Sequence, residues 1–285
     1  MKVIRTVREM QAEAEKHRQV GRMIGFVPTM GYLHEGHLSL IRIARSRADV
    51  VVVSIFVNPT QFGPEEDLDK YPRDFRSDEK LAEEAGADII FYPSEKEMYP
   101  YDFLTFVSVE EITDVLCGAS RPGHFRGVAT VCVKLFHAVK PHFAVFGQKD
   151  AQQVVVIRRM VKDLNFDVEI VTGPIVREVD GLAMSSRNAY LSKEERKDAL
   201  SLNQSLKLAE EMVRNSERRV DVIVHAMKEL IDGGKRTRID YISVVYPETL
   251  RELDEIEDKA LVALAVFVGK TRLIDNTIID IRTKE

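Results

Sequence analysis

What most constrains the fold is a set of short, nearly uninterrupted apolar runs: Met23 to Val27, Asp49 to Val57, Asp88 to Tyr92, His142 to Gly147 and Asp167 to Thr172. Runs rich in Val and Ile without polar alternation suit strands covered on both faces. Parallel strands of that kind need crossovers long enough to hold a helix. Helical patterns fall between the runs, from Gly36 to Arg47, Arg73 to Ala85, Gly127 to Lys140 and Asp150 to Leu164. The alternation predicts an α/β chain built on a Rossmann-like, doubly wound parallel sheet, with ligands beyond the carboxyl ends of the strands. After Val176 the pattern changes. Ser192 to Asn215 and Val220 to Gly233 read as helices, and Arg238 to Val245, Ala260 to Gly269 and Thr271 to Ile279 as strands. A chain of 285 residues divides naturally in two. The expected division is a catalytic domain over 1–175 and a smaller α+β C-terminal domain over 176–285, serving as a lid or dimer support.

Charge and composition narrow the setting. A formal net charge of −5 argues against a nucleic-acid partner, which would call for a basic face. No stretch approaches the ~20 uninterrupted apolar residues of a membrane helix, and the first residues lack the apolar core of a signal peptide. Cys117 and Cys132 have no CxxC spacing, so a reducing, cytoplasmic setting is expected. Few Cys, no Trp and Lys/Glu/Arg-rich helices hint at a heat-tolerant source.

The strand ends carry the chemistry. The first run leads through a Pro/Gly turn into His34-Glu35-Gly36-His37, where a helix begins. Unpaired N–H groups and partial positive charge at a helix start favour phosphate, and two imidazoles there can hold a polyphosphate. Gly36 removes a Cβ that would keep a ligand from the backbone. The same pair would also fit surface loop histidines or an i, i+3 metal pair. The second run ends in Asn58 and Gln61, whose amides can orient a small polar ligand or belong to an Asn-Pro turn. Arg121, His124 and Arg126 share a loop with Gly123 and Gly127; the loop could neutralise phosphate or close over a ligand, or be a solvated loop with surface ion pairs. The fourth run ends in Gly147-Gln148-Lys149-Asp150, offering a point charge for a triphosphate and an acid placed as N-cap or as partner of Lys149. Gln153 follows on the same helix face. Ser185, Ser186 and Arg187 suit phosphate capture, or simply cap the next helix. No Ser or Cys nucleophile with a matched base is evident.

Together, PTMGYLHEGHLSL (28–40), FVNPTQF (56–62), RPGHFRGVATV (121–131), FGQKDAQQ (146–153) and DGLAMSSRN (180–188) resemble the pantothenate synthetase (pantoate–β-alanine ligase) family, within the HxGH nucleotidyltransferase superfamily. The resemblance implies that ATP and (R)-pantoate give pantoyl adenylate and pyrophosphate, and that β-alanine then releases pantothenate and AMP. It implies catalytic roles for His34, His37 and Lys149, with His37 the proton donor. The ATP site it implies comprises Met30, Gly31, Tyr32, Leu33, His34, Glu35, Gly36 and His37, then Gly147, Gln148, Lys149 and Asp150, then Val176, Met184, Ser185, Ser186 and Arg187. Gln61 and Gln153 would bind pantoate, Gln61 also facing β-alanine, with Asn58 and Arg121 in the same pocket. Mg²⁺ is implied on the phosphates with no named protein ligand, and the assembly as a homodimer. Gln148 and Ala151 stand where relatives often carry Glu and Tyr, and Cys117 where some carry Glu. Two other readings use the same turns: an HxGH enzyme acting on a phosphate ester, which would call for more cations beside the glutamines, and a non-catalytic nucleotide-binding regulator, which would not need the glutamines.

Overall fold

The computed structural model describes residues 1–64 and 66–282. In chain order its elements are β1 (Lys2–Ile4), α1 (Val7–Gln19), β2 (Ile24–Thr29), α2 (Glu35–Arg45), β3 (Val50–Ile55), α3 (Phe75–Glu84), β4 (Ile89–Phe91), α4 (Glu95–Met98), α5 (Cys117–Ser120), α6 (His124–Val139), β5 (Phe143–Gly147), α7 (Ala151–Asp163), β6 (Glu169–Gly173), α8 (Lys193–Arg214), α9 (Val220–Asp232), β7 (Thr237–Val245), β8 (Lys259–Val268) and β9 (Thr271–Asp280). Three short 3₁₀ turns, Pro59–Gln61, Gln148–Asp150 and Ser186–Tyr190, sit where the polar segments were expected.

Six strands form one parallel sheet in the order β1-β4-β3-β2-β5-β6. Alternate residues face opposite layers, as strand geometry requires. Ile24 and Phe26 of β2 and Val50 and Val52 of β3 point to the layer holding α1, α6 and α7. Val27, Val51, Val53 and Ile55 point to the layer of α2 and α3. The chain winds outward from β2 in one direction through β3 and β4, then returns to place β5 on the other side of β2. The crevice at the carboxyl ends of β2 and β5 is therefore the topological switch point, where open α/β sheets bind ligands. The His34–His37 turn follows β2 and the Lys149 turn follows β5, so the topology brings both to one crevice.

β1 and α1 were not anticipated. β1 has only three residues and is specified by pairing with β4, while α1 buries only Met10 and Ala14. Its start was nevertheless legible in Thr6-Val7-Arg8-Glu9, a Thr-x-x-Glu helix start, and the Thr6 hydroxyl accepts a hydrogen bond from the Glu9 N–H.

The C-terminal region has an antiparallel sheet β7-β8-β9 covered by α8 and α9. It also packs on the first region, since Ala151 and Val155 of α7 share an apolar cluster with Val245, Leu250, Leu261 and Ala263. Among the described residues no helix is long and apolar enough to cross a membrane.

Candidate active site

The β2–α2 turn is held from outside. Gly31 and Tyr32 take φ of 85° and 53°, and the buried Asp78 carboxylate of α3 accepts the N–H groups of Tyr32 at 2.9 Å and Leu33 at 2.7 Å. Burial raises the Asp78 pKa above the ordinary carboxylate value. This side chain, unremarkable in sequence, sets the approach to the histidines.

His34 is the N-cap of α2. Its Nδ1 accepts the Gly36 N–H at 3.2 Å, and the His37 Nδ1 accepts the His34 N–H at 3.3 Å. The two rings lie 4.1 Å apart between centroids, tilted by 38°. With both Nδ1 atoms accepting, the neutral tautomer of each ring carries its proton on Nε2. Burial, reinforced by Lys149, pushes His34 down to about 4, and burial, reinforced by His34 and Lys149, pushes His37 down to about 3. In the free protein at neutral pH the pair is thus uncharged and offers Nε2–H donors. Gly36 is required for a reason the sequence did not show: a Cβ there would lie 2.9 Å from Cε1 of His34. The glycine makes room for the capping imidazole.

Beyond β3, Asn58 caps the Pro59–Gln61 turn. Its Oδ1 accepts from the Thr60 hydroxyl at 2.9 Å and from the Tyr99 hydroxyl at 2.8 Å; its Nδ2 donates to Gln61 Oε1 and to the Gly127 carbonyl, both at 3.1 Å. Asn58, expected as a ligand contact, thus spends its amide on protein partners. The result is to fix Gln61, whose Nε2 donates to Met30 Sδ at 3.1 Å.

The cations are arranged unequally. Arg121 makes a two-point pair with Glu66, at 2.7 and 2.6 Å, and also approaches His124. Arg187 makes a similar pair with Asp67, at 3.2 and 2.9 Å. Both acids come from the segment after Gln61, and the paired arginines hold each carboxyl below its ordinary range against the opposing effect of burial. His124 is driven to about 4 by burial and by Arg121. The Lys149 ammonium, by contrast, has no hydrogen-bond or ion-pair partner among the described residues. Asp150 occupies the expected N-cap position of α7 but makes no side-chain cap hydrogen bond, and it does not pair with Lys149, contrary to the other expectation for it.

These groups line one cleft of about 1380 Å³. Met30, His34, Gly36, His37, Asn58, Gln61, Arg121, Gly147, Lys149, Asp150, Gln153, Val176, Met184, Ser185, Ser186 and Arg187 all reach it. Gly31, Tyr32, Leu33, Glu35 and Gln148 do not. Leu33 is buried in the core, Glu35 pairs with Arg42, and the Gln148 amide donates to Asn276 of β9. His124 of the Arg121 loop lines the same cleft, as do the wall residues Phe62, Tyr71, Val128 and Val131, which were not singled out as contacts. Their signal was weak because aromatic and Val positions read first as core. Gln152, next to Gln153, serves structure: it accepts the Cys117 N–H and donates to the carbonyls of Ile112 and Val115.

A parallel sheet with paired histidines, an unpaired lysine and a hydroxyl-bearing loop at its switch point defines a nucleotide-handling α/β enzyme of the HxGH type. The chain matches the model of the pantoate–β-alanine ligase family over residues 2–278, and it belongs to that family. It is 59% identical to the pantothenate synthetase of Caldicellulosiruptor bescii over 280 residues, covering 98% of this chain and 99% of that one. It is 60% identical to the pantothenate synthetase of Thermotoga neapolitana over 279 residues, covering 98% and 100%. The crystal structure of pantothenate synthetase from Thermus thermophilus superposes with a TM-score of 0.92 at 47% identity, covering 97% of this chain and 99% of that one. That of the Francisella tularensis ligase, complexed with β-γ ATP and β-alanine, gives 0.80 at 34% identity, covering 98% and 97%.

Proposed function

We propose that this chain joins (R)-pantoate to β-alanine at the expense of ATP, through a pantoyl-adenylate intermediate, releasing pyrophosphate and AMP. The observation that carries this reading is that His34, His37 and Lys149 line one cleft together with Gln61 and Gln153. A carboxylate does not condense with an amine in water, so it must first be activated. In the first step a pantoate carboxylate oxygen attacks the α-phosphorus and the bond to the pyrophosphate oxygen breaks. In the second, the β-alanine amine attacks the acyl carbon and AMP leaves.

The residues divide the work. Gln61 and Gln153 orient the acid without competing as nucleophiles, and Phe62, Val128 and Val131 offer an apolar wall to its methyl groups. Lys149 brings unspent positive charge to the triphosphate. The Nε2–H groups of His34 and His37 donate to phosphate oxygens, and accumulating negative charge there raises their proton affinity, which equips His37 to protonate the leaving group. Arg121 and Arg187 become available as phosphate replaces Glu66 and Asp67 in their forks. Mg²⁺ would arrive on the phosphates, and the exposed Asp150 carboxylate in the cleft lining would be available to it. When bound, Mg²⁺ supplies neutralisation of the leaving pyrophosphate. Residues 1–175 and 176–285 then form the catalytic and smaller domains of a cytoplasmic homodimer.

The test is pyrophosphate release by the pure protein with ATP and Mg²⁺. Release is expected only with pantoate, followed by AMP and pantothenate on adding β-alanine. Absence of pantoate-dependent turnover would overturn the reading. Tight ATP binding without turnover would instead favour a nucleotide-binding regulator.

A further inference from the structure

The lysine turn is a single 3₁₀ turn, Gln148–Asp150, with no side-chain cap. Such turns have poor internal hydrogen bonding, yet this one must hold Lys149 in register with the histidines. The support comes from the far end of the chain. Asn276, on β9, is 3% exposed. Its Nδ2 donates both hydrogens to the turn, one to the Gln148 carbonyl at 3.0 Å and one to the Lys149 carbonyl at 2.9 Å. Its Oδ1 accepts from Gln148 Nε2 at 3.0 Å. Every hydrogen-bonding group of the Asn276 side chain thereby acts on two consecutive residues. The fit depends on Gln148 being an amide, because a carboxylate there would face Oδ1 with no proton to share.

The preceding residue holds the other arm of the cleft. Asp275, also 3% exposed, accepts from Arg177 at 2.7 and 3.1 Å, and Arg177 donates on to the Gly181 carbonyl at 3.2 Å. Arg177 pairs with Ala183 across a β-bridge, and the Met184 N–H donates to the Val176 carbonyl. This closes the hairpin that presents Val176, Met184 and Ser185 to the cleft. Successive strand residues point to opposite faces, so one dipeptide of β9 reaches both arms.

Resting on the ligase reading above, we infer that Asn276 is a positioning residue for Lys149, and that Asp275-Asn276 of β9 sets the spacing between the lysine turn and the Ser185–Arg187 arm. The C-terminal domain is then a built-in part of the phosphate site, beyond the lid or support the sequence suggested. Its sheet transmits to the site whatever order it has itself.

The test is a double-mutant cycle with Lys149→Ala and Asn276→Ala, read as kcat and KM for pantoate-dependent pyrophosphate release. Asn276→Ala is expected to lower kcat by roughly ten- to a hundred-fold, the scale of a small misplacement of a reacting group, with KM for pantoate nearly unchanged. Asn276→Ser, which keeps one donor, should recover part of the loss. In the Lys149→Ala background, Asn276→Ala should cost almost nothing further, since its effect runs through that lysine. An equal loss in both backgrounds, or wild-type kcat in Asn276→Ala, overturns the inference. If Asn276→Ala does not fold, Gln148→Ala takes its place in the cycle, removing the partner of Oδ1 with a smaller but equally Lys149-dependent loss expected; an additive loss, or none, overturns the inference. Inactivity of the wild-type protein would count against the ligase reading instead.

Discussion

Gly127→Ala puts the seating of Gln61 under direct strain. Gly127 lies in α6 where the helix backbone meets the Pro59–Gln61 turn. A Cβ on it would sit 2.3 Å from the Thr60 carbonyl oxygen, 2.5 Å from the Thr60 carbonyl carbon and 2.6 Å from the Gln61 nitrogen. Ordinary contacts between heavy atoms fall near 3.5 Å, so the turn must retreat by about 1 Å. It cannot slide freely, because Asn58 Nδ2 ties it to the Gly127 carbonyl at 3.1 Å. Overpacking of this kind costs about 1–3 kcal/mol, which for a chain of this size lowers Tm by roughly 2–5 °C. The functional effect should be larger than the stability effect. A displacement of about 1 Å at a substrate-orienting group lowers the rate on the order of a hundred-fold, so kcat/KM for pantoate should fall by that factor. KM for ATP should stay within about two-fold, since the groups proposed to hold the triphosphate sit on α2 and the lysine turn, outside the strained contact. Steady-state pyrophosphate release at varied pantoate, alongside a thermal melt, reads both quantities. Wild-type kcat/KM for pantoate with an unchanged Tm would show that α6 absorbs the methyl group, and would refute the claim that this contact seats Gln61.

Further outcomes follow from the same geometry. His37→Ala should abolish pyrophosphate release and Lys149→Ala should lower it by roughly a hundred- to a thousand-fold, leaving a measurable residual rate, with the circular-dichroism melt in place for both; near-normal turnover in either would remove that residue from the mechanism. Asp78→Ala leaves the buried Leu33 N–H, and the more exposed Tyr32 N–H, without their acceptor; a loss of about 1–3 kcal/mol in urea unfolding and weaker ATP binding are expected, and neither changing would show that the β2–α2 turn holds itself. Acidification should destabilise the fold through His34 and His124, lowered to about 4, and His37, lowered to about 3. Unfolded histidines titrate near 6.5, so below that pH the unfolded chain binds more protons. The stabilising contribution is complete above pH ~6.5 and is lost as pH falls toward 4, then 3, at up to about 1.4 kcal/mol per pH unit for each group. Equal urea midpoints at pH 7 and pH 5 would contradict the burial of these rings.

Much of the site was legible because its residues sit next to strong local signals. Pro28, Gly31, Gly36 and Gly147 mark strand ends, and polar residues beside buried strands stand out against Val and Ile. His34, Gln61, Lys149 and Arg187 were found this way and share the cleft. Residues that act through others left no such mark. Asp78 reads as an ordinary helix carboxylate until its two backbone partners are seen, and His124 reads as an ambiguous loop residue. Roles shifted for the same reason. Asn58 and Gln148 carry the right chemistry for a ligand, yet protein groups have already claimed their amides.

By itself, then, the sequence determined the class of fold, the order of the longer strands and helices from β2 onward, and the turns that bear reactive groups. Those follow from local physics: apolar periodicity, glycine and proline at turns, and helix caps. Tertiary structure alone decided which turns meet, the charge state of the histidines and the partners of the cations. Topology joins the His34 and Lys149 turns by placing β5 beside β2. Burial keeps the imidazoles neutral, and Glu66 and Asp67 occupy the arginine forks while Lys149 stays open. Asn276 reaches the lysine turn from 127 residues away in sequence, a contact that no local pattern encodes, because it exists only once two sheets have packed together.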